Sequence, residues 1–420
     1  MGIFLTPASM AKDLASPFWL LVVWSIMGAL ALCGALCYAE LAARFPEAGG
    51  GYVYLREAYG PAVAFMYGWM AFLVMDPGLT AVLAVGVATY AGYILNLSPA
   101  AIKVLAITTI MGVAFINIRG VKLGAGFARA LATLKLGLLA FVILWGTGFQ
   151  LGDWSNFTPF VARPAGATPL VGALAGAFIG AFFSFGGWWD LGKLAGEVKN
   201  PARTLPRALT WGVVIVTVVY ILTSLTFIYL VPVSRVGSPE TFAAQAGEVL
   251  FGRAGGLIFS SIVIVSVLGS LTAVVMAAPR VYFAMARDGL FAPSVAVLHK
   301  RYATPARAIA LQAVLASVLV VAGSFNEILA YFIFVVVVFI GLSVGALFKF
   351  RQDHVTGVRY LTPLYPVPPI LFLVMLVFLL VLLGGAQPRQ AFQGVAVVAL
   401  GWPVYLLIFR NKFVVERGDT

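Results

Sequence analysis

Residues 176–193 read GAFIGAFFSFGGWWDLGK, an apolar stretch that a glycine pair interrupts and that ends in charged residues. Gly186 and Gly187 together cost an α-helix about 2 kcal/mol relative to alanine, so their presence in such a stretch usually has a reason. One interpretation is close packing against a neighbouring helix, for which small residues are common in membranes. The other is a helix that breaks here, so that free carbonyls and amides line a polar site.

The composition excludes a soluble globular protein. The 420 residues are 62% apolar and 10% charged, whereas soluble domains carry about 25% charged residues. Continuous apolar runs long enough to cross a bilayer, which takes roughly 20 residues, recur along the chain. Only helices and closed barrels satisfy their backbone in lipid, and these runs do not alternate in polarity, so we predict an all-α polytopic membrane protein.

The apolar runs predict eleven complete spans and a shorter fragment at residues 2–12. The complete spans lie at residues 17–42, 62–95, 98–117, 129–149, 168–194, 208–232, 255–280, 307–324, 326–348, 364–385 and 391–409. If the fragment ends outside, the inside segments carry 20 of the 27 lysines and arginines and the outside segments carry 6. The positive-inside rule then places the C-terminus in the cytoplasm, and topology accounts for the net charge of +12 without nucleic acid.

The opening MGIFLTPASM is only about half of a spanning helix, which needs roughly 20 apolar residues. Gly2 and Ile3, followed by Pro7, read as the start of a half-helix whose free amides and positive dipole end suit a carboxylate. The fragment lies five spans before the glycine-interrupted span, and two interrupted spans in corresponding halves indicate the binding site of a transporter. MGIFLT also fits a myristoylation pattern, which we discount because one acyl chain adds nothing to eleven spans.

Among the ionisable residues inside predicted spans, where a charge is costly and by default functional, Lys135 and Asp76 are the main candidates. Lys135 either has such a role or snorkels to the cytoplasmic interface. Asp76, next to Pro77 and Gly78, either lines the cavity as substrate partner or proton carrier, or accepts from backbone amides that a local break leaves free.

The other polar residues considered are expected to have structural rather than functional roles. Asp190 and Lys193 are spaced i,i+3 and are expected to pair, and Glu40 is expected to pair with a basic loop residue. Neither the two cysteines nor the two histidines have partners that would form a metal or catalytic site, so we expect no cofactor and no enzyme.

Several motifs, in this order, resemble one family over nearly the whole chain. They are GIF at 2–4 with Pro7, YAEL at 38–41, FPEAGGGY at 45–52, NIRGV at 117–121, NPARTLPR at 200–207 and MARDG at 285–289. Together they resemble the amino acid–polyamine–organocation transporters, and most closely their L-type amino acid transporter and bacterial amino acid permease branches.

The resemblance implies a LeuT-like fold of two inverted five-helix repeats followed by two extra helices. We expect the repeats at residues 1–149 and 168–348, the extra helices at 364–409 and a cytoplasmic tail at 410–420. In this family, the unwound parts of helices 1 and 6 bind the α-carboxylate and the α-ammonium of the substrate. The substrate-binding residues so implied are Gly2, Ile3, Phe183, Ser184, Phe185, Gly186 and Gly187, with Asp76 as a further candidate.

The resemblance also bears on coupling. A family lysine at the position of Lys135 takes the place of the sodium ion of sodium-coupled relatives, which implies sodium-independent exchange or proton coupling. Ser266 and Ser270 then either contact Lys135 or the substrate, or make the packing hydrogen bonds that are commoner for serines in spans. Tyr331 either caps the cavity or is a packing residue.

We therefore expect a multi-pass transporter of the plasma (inner) membrane that moves amino acids by alternating access. Its partners are the small-molecule substrate and the bilayer, while a homo-oligomer or accessory subunit is left open. The room at the glycine pair favours neutral amino acids, and Asp76 keeps cationic amino acids or polyamines as an alternative. Because the family has a half-helix before its G-S-G motif, we also expect the chain as written to transport poorly, as a truncated product.

Overall fold

The computed structural model describes residues 2–233, 239–322, 325–352, 360–386 and 388–412. Within these ranges the regular structure is helical throughout. The helices in chain order are α1 (Gly2–Leu5), α2 (Pro7–Leu14), α3 (Pro17–Arg44), α4 (Gly51–Tyr59), α5 (Pro61–Met70), α6 (Asp76–Leu95), α7 (Pro99–Ile118), α8 (Val121–Gly148), α9 (Leu170–Phe185), α10 (Pro201–Leu230), α11 (Pro239–Phe251), α12 (Gly255–Ala277), α13 (Pro279–Arg287), α14 (Ala306–Ala322), α15 (Phe325–Gln352), α16 (Val367–Ala386) and α17 (Pro388–Val404).

Ten helical stretches of the described chain are long and apolar enough to cross a membrane. This confirms the prediction of an all-α polytopic membrane protein, but not the count of eleven spans. The difference is the predicted span 307–324, which corresponds to the 17-residue α14. At 1.5 Å per residue α14 is about 26 Å long, shorter than the roughly 30 Å hydrocarbon core.

Two predicted spans are not continuous α-helices in the structure. The span predicted at 62–95 contains a π-helical turn, Ala71–Met75, directly before α6. The amide of Asp76 donates to the carbonyl of Ala71, five residues back, and Pro77, which has no N–H, follows at once. The span predicted at 168–194 is α9 followed by a separate 3-10 helix, Trp188–Glu197.

The start of α8 also differs from the prediction, because the helix begins at Val121 rather than at residue 129. Gly120, with a φ of +141°, ends the preceding connection, and Lys122 and Arg129 then lie within the first turns of the helix. Charged residues do not by themselves prevent a helix, so a boundary placed by hydropathy lies after the true start of the helix. The start of α10 differs in the same way, since the helix begins at Pro201 and the predicted span begins at residue 208.

The core of the bundle lies where α3 packs along α10 and α12 packs along α6 and α8. Trp24 of α3 is completely buried, with its ring 5.1 Å from that of Tyr220 on α10 and 6.1 Å from that of Phe185 at the end of α9. These aromatic contacts hold the end of α9 against two long helices. The division into repeats at residues 1–149 and 168–348 stays a prediction.

Candidate functional site

The helix with the glycine pair breaks at the predicted position. α9 ends at Phe185, and a helical path resumes only at Trp188. Gly187 has a φ of +104°, a left-handed conformation that glycine adopts without the steric penalty of a side chain. In a continuous helix each carbonyl accepts from the amide four residues ahead. Because α9 ends at the break, its last carbonyls lack these partners.

Two carbonyls at the break accept hydrogen bonds from neighbours. The Phe183 carbonyl accepts from the Gly186 amide at 3.1 Å, and the Ser184 carbonyl accepts from the Tyr220 hydroxyl at 2.8 Å. Because a carbonyl oxygen has two lone pairs, each can still accept from a further donor. The break thus offers acceptors whose positions are fixed by the protein.

The first residues of the chain pack directly against this break. A Cβ added at Gly2 would lie 2.2 Å from Ser184 Cβ and 2.3 Å from Ser184 Cα, so only glycine fits. Thr6 Oγ1 lies 2.6 Å from Ser184 Oγ. Thr6 also separates α1 from α2, so the predicted half-helix is two short helices, the second of which starts at Pro7.

A cavity of about 520 Å³ lies beside the break. Its wall is mostly apolar, as is typical of sites for small molecules. The described residues with polar or charged side chains on this wall include Ser184, Tyr220, Lys135, Ser270 and Asp190. They come from α9, α10, α8, α12 and the 3-10 helix 188–197, so both halves of the chain contribute to the cavity wall.

Most of the predicted site residues share this cavity. The ones that line it are Gly2, Phe183, Ser184, Phe185, Gly186, Gly187, Lys135 and Ser270. Ile3 and Ser266 are completely buried and do not line it. Ser266 instead packs one turn before Ser270, whose hydroxyl donates to the Ser266 carbonyl at 3.4 Å. The side chain of Tyr331 lies outside the described part of the structure.

Asp76 does not line the cavity, which corrects the prediction that it does. Its side chain is 2% exposed, and it accepts from Lys193 Nζ at 2.9 Å and from the Tyr282 hydroxyl at 2.9 Å. Among the described residues its two carboxylate oxygens accept from side chains, Lys193 at Oδ1 and Tyr282 at Oδ2, and not from backbone amides. Lys193 Nζ lies 2.8 Å from Asp190 Oδ1 as well, so the expected Asp190–Lys193 pair exists but is shared with Asp76.

Lys135 contributes a cation to the cavity wall. No ion pair joins it to a carboxylate among the described residues. The same described chain holds no group of three or more His, Cys, Asp or Glu residues that could bind a metal. The cavity therefore combines one cation, one carboxylate at Asp190, backbone carbonyls and a largely apolar wall.

Glu40 lies completely buried and accepts from Arg351 and from the Thr362 amide, both at 2.7 Å. Its basic partners are Arg351 at the end of α15 and, at 3.7 Å, Arg44 of α3, and neither lies in a loop. Arg280, whose side chain is 2% exposed, donates to Glu197 at 2.9 Å and so joins α13 to the end of the 3-10 helix. The second of these pairs connects the segment after the break to the rest of the bundle.

Sequence reasoning missed Tyr220 and Tyr282, which donate to the break and to Asp76 respectively. Each is a tyrosine within a helix, and no local pattern distinguishes it from a packing residue. One feature of the sequence could have predicted the Asp76–Lys193 pair. Two opposite charges in different spans neutralise each other most economically when they meet.

Comparison with known proteins gives a consistent result. The amino acid permease family matches residues 1–409 of the chain. The chain is similar to the serine/threonine exchanger SteT of Bacillus subtilis (strain 168), at 32% identity over 375 residues, which cover 88% of this chain and 84% of that protein.

Mammalian relatives are less similar in sequence but match a larger share of this chain. The b(0,+)-type amino acid transporter 1 of Mus musculus is 28% identical over 98% of this chain and 85% of its own length. The large neutral amino acids transporter small subunit 2 of Homo sapiens is 27% identical over 97% of this chain and 76% of its own length. The prediction of an amino acid transporter is confirmed, and the chain belongs to the amino acid permease family.

Proposed function

We propose that this protein is a sodium-independent amino acid exchanger that works by alternating access, with neutral amino acids as its preferred substrates. The observation that carries the proposal is the break between α9 and residues 188–197, which faces the 520 Å³ cavity and contacts Gly2. A broken helix beside a cavity supplies fixed dipoles for a zwitterion without burying several charges. The name of the relative SteT, a serine/threonine exchanger, supports both the exchange mode and small neutral substrates.

The substrate pose follows from the charges at the break. The amide of Gly2, which lines the cavity, lies at the N-terminal, positive end of α1 and suits the α-carboxylate. The carbonyls of Phe183, Ser184 and Phe185 suit the α-ammonium, since each accepts without bearing a full charge. The apolar remainder of the wall then meets the substrate side chain.

Sodium independence is supported by Lys135 on the cavity wall. A fixed ammonium repels a cation that would bind beside it, and its effect is strong where water is scarce. The substrate carboxylate then needs no bound sodium as counter-ion. We also propose that the protein resides in the plasma (inner) membrane with its C-terminus in the cytoplasm, as the distribution of lysine and arginine indicates.

The test is exchange in proteoliposomes that contain the purified protein. Vesicles are loaded with radiolabelled L-serine, and efflux is followed with and without unlabelled L-serine outside. We expect external serine to accelerate efflux severalfold, and L-lysine or putrescine to do so less. Efflux that no amino acid accelerates would contradict exchange, and a stronger response to L-lysine than to L-serine would contradict the preference for neutral substrates.

Replacement of sodium by choline on both sides of the vesicle membrane tests the coupling separately. We expect the same rate of serine-stimulated efflux in either salt. Loss of the stimulated efflux in choline would refute sodium independence and leave the exchange mode intact.

A further inference from the structure

Asp76, Lys193 and Asp190 form a buried cluster, here called the carboxylate–lysine cluster, in which Asp190 lines the cavity and the other two residues lie behind its wall. Lys193 Nζ lies 2.9 Å from Asp76 Oδ1 and 2.8 Å from Asp190 Oδ1. The exposed fractions of the three side chains are 2% for Asp76, 1% for Lys193 and 12% for Asp190. One ammonium group thus serves two carboxylates in a place from which water is nearly excluded.

The two contacts of Lys193 differ in the elements that they join. Asp190 and Lys193 belong to the same 3-10 helix, Trp188–Glu197, which follows the glycine break. Asp76 is the first residue of α6, on a different span. A displacement of residues 188–197 relative to α6 therefore separates Lys193 from Asp76, while Asp190 moves together with Lys193.

Because Asp190 moves with Lys193 and Asp76 does not, such a displacement leaves Asp76 without its cation. After such a displacement Lys193 keeps Asp190 and remains neutralised. Asp76 keeps only the hydrogen bond from the Tyr282 hydroxyl, at 2.9 Å. An ionised carboxylate that loses its buried cation is strongly destabilised, and such a group takes up a proton instead of remaining charged.

The groups that face Asp76 cannot supply a second cation. Tyr282 of α13 and Tyr67 of α5 interact with it and are neutral phenols, Asp190 is itself acidic, and Lys193 is the cation that leaves. Lys193 has two carboxylate partners rather than one. The second carboxylate gives Lys193 an alternative acceptor, which is what a separable contact requires.

We propose that Asp76 is a proton-binding site that is filled each time residues 188–197 move away from α6 during transport. The step is the addition of one proton from water to the Asp76 carboxylate, while Lys193 retains its own proton and stays paired with Asp190. When the segment returns, Asp76 releases the proton and again accepts from Lys193. This inference rests on the proposed function, because alternating access supplies the movement.

The experiment is the pH dependence of L-serine homoexchange in proteoliposomes with equal pH on both sides. We expect the wild-type rate to fall as pH rises, by at most about tenfold per pH unit, the limit for a single proton. Asp76→Asn, which resembles the protonated carboxyl in shape, is expected to exchange serine at a rate that no longer depends on pH. Tyr282→Phe is the matched control and is expected to keep the pH dependence.

Asp190→Asn separates the two carboxylates. It removes the alternative acceptor of Lys193, so we expect slower exchange that still depends on pH. A wild-type rate that is independent of pH, or an Asp76→Asn variant with the wild-type pH profile, would overturn the proposal while leaving amino acid exchange intact.

A second measurement does not depend on the substrate. Infrared titration of the purified protein follows the C=O stretch of protonated carboxyl groups over the same pH range. We expect wild type to show a component that Asp76→Asn lacks and that Tyr282→Phe retains. Identical titrations of wild type and Asp76→Asn would overturn the proton site even if L-serine proves not to be exchanged.

Discussion

Replacement of Lys193 by methionine is expected to lower the free energy of unfolding by about 3–5 kcal/mol. Breaking a buried ion pair by removal of one partner costs this much because the remaining carboxylate is uncompensated and must either stay charged or take up a proton. Asp76 is 2% exposed and Asp190 is 12% exposed, so neither side chain can turn fully into water. Most of the loss falls on Asp76, since Asp190 lines the cavity and can be hydrated there.

The assay is reversible unfolding in mixed micelles with increasing denaturing detergent, followed by tryptophan fluorescence. Asp76→Asn in the Lys193→Met background removes the stranded charge and is expected to restore most of the lost free energy. A double-mutant cycle gives the coupling between the two residues directly. Lys122→Met, at an exposed lysine of α8, is the matched control, and we expect it to change stability by less than about 0.5 kcal/mol. Equal stabilities of Lys193→Met and Lys122→Met would refute the reasoning.

Two further substitutions test the contacts around the break. Gly2→Ala places a Cβ 2.2 Å from Ser184 Cβ and is expected to cost about 1–3 kcal/mol and to slow serine exchange. Gly137→Ala, where a Cβ meets nothing within 4 Å, should do neither, and equal exchange rates of the two variants would show that the contact with Ser184 is unimportant. Arg280→Gln removes the ion pair with Glu197 and is expected to cost about 1.5–3 kcal/mol in the same unfolding assay; an unchanged stability would contradict this.

The break after α9 and the short helix at the start of the chain could be predicted from sequence, because both depend on local chemistry. Gly186 and Gly187 cannot both be good helix residues, and Gly2 with Pro7 indicates a helix start that is too short to span. The cavity assembled around them requires α8, α10 and α12 to approach the break, which no local pattern specifies. Lys135 was found because a charge in a span is rare, not because its neighbours were known.

The partner of Asp76 could not be predicted because it lies 117 residues away. Pro77 and Gly78 suggested that free amides would satisfy the carboxylate, but a π-turn absorbs the irregularity and the Asp76 amide finds an acceptor in Ala71. The carboxylate is then available for Lys193. Tertiary placement, rather than local sequence, decided that Asp76 belongs to an ion cluster and not to the cavity wall.

The most direct test of the proposed substrate site fills the cavity without disturbing the fold. Gly212 of α10 lines the cavity, and a Cβ added there would meet nothing within 4 Å, so a larger side chain can extend into the open space. Gly137 of α8 is equally open and, like Gly212, exposed, but it does not line the cavity. The measurement is serine-stimulated efflux of labelled L-serine from proteoliposomes with wild type, Gly212→Trp and Gly137→Trp. We expect Gly212→Trp to abolish the stimulated efflux and Gly137→Trp to retain it, whereas Gly212→Trp efflux equal to that of wild type would contradict substrate binding in this cavity.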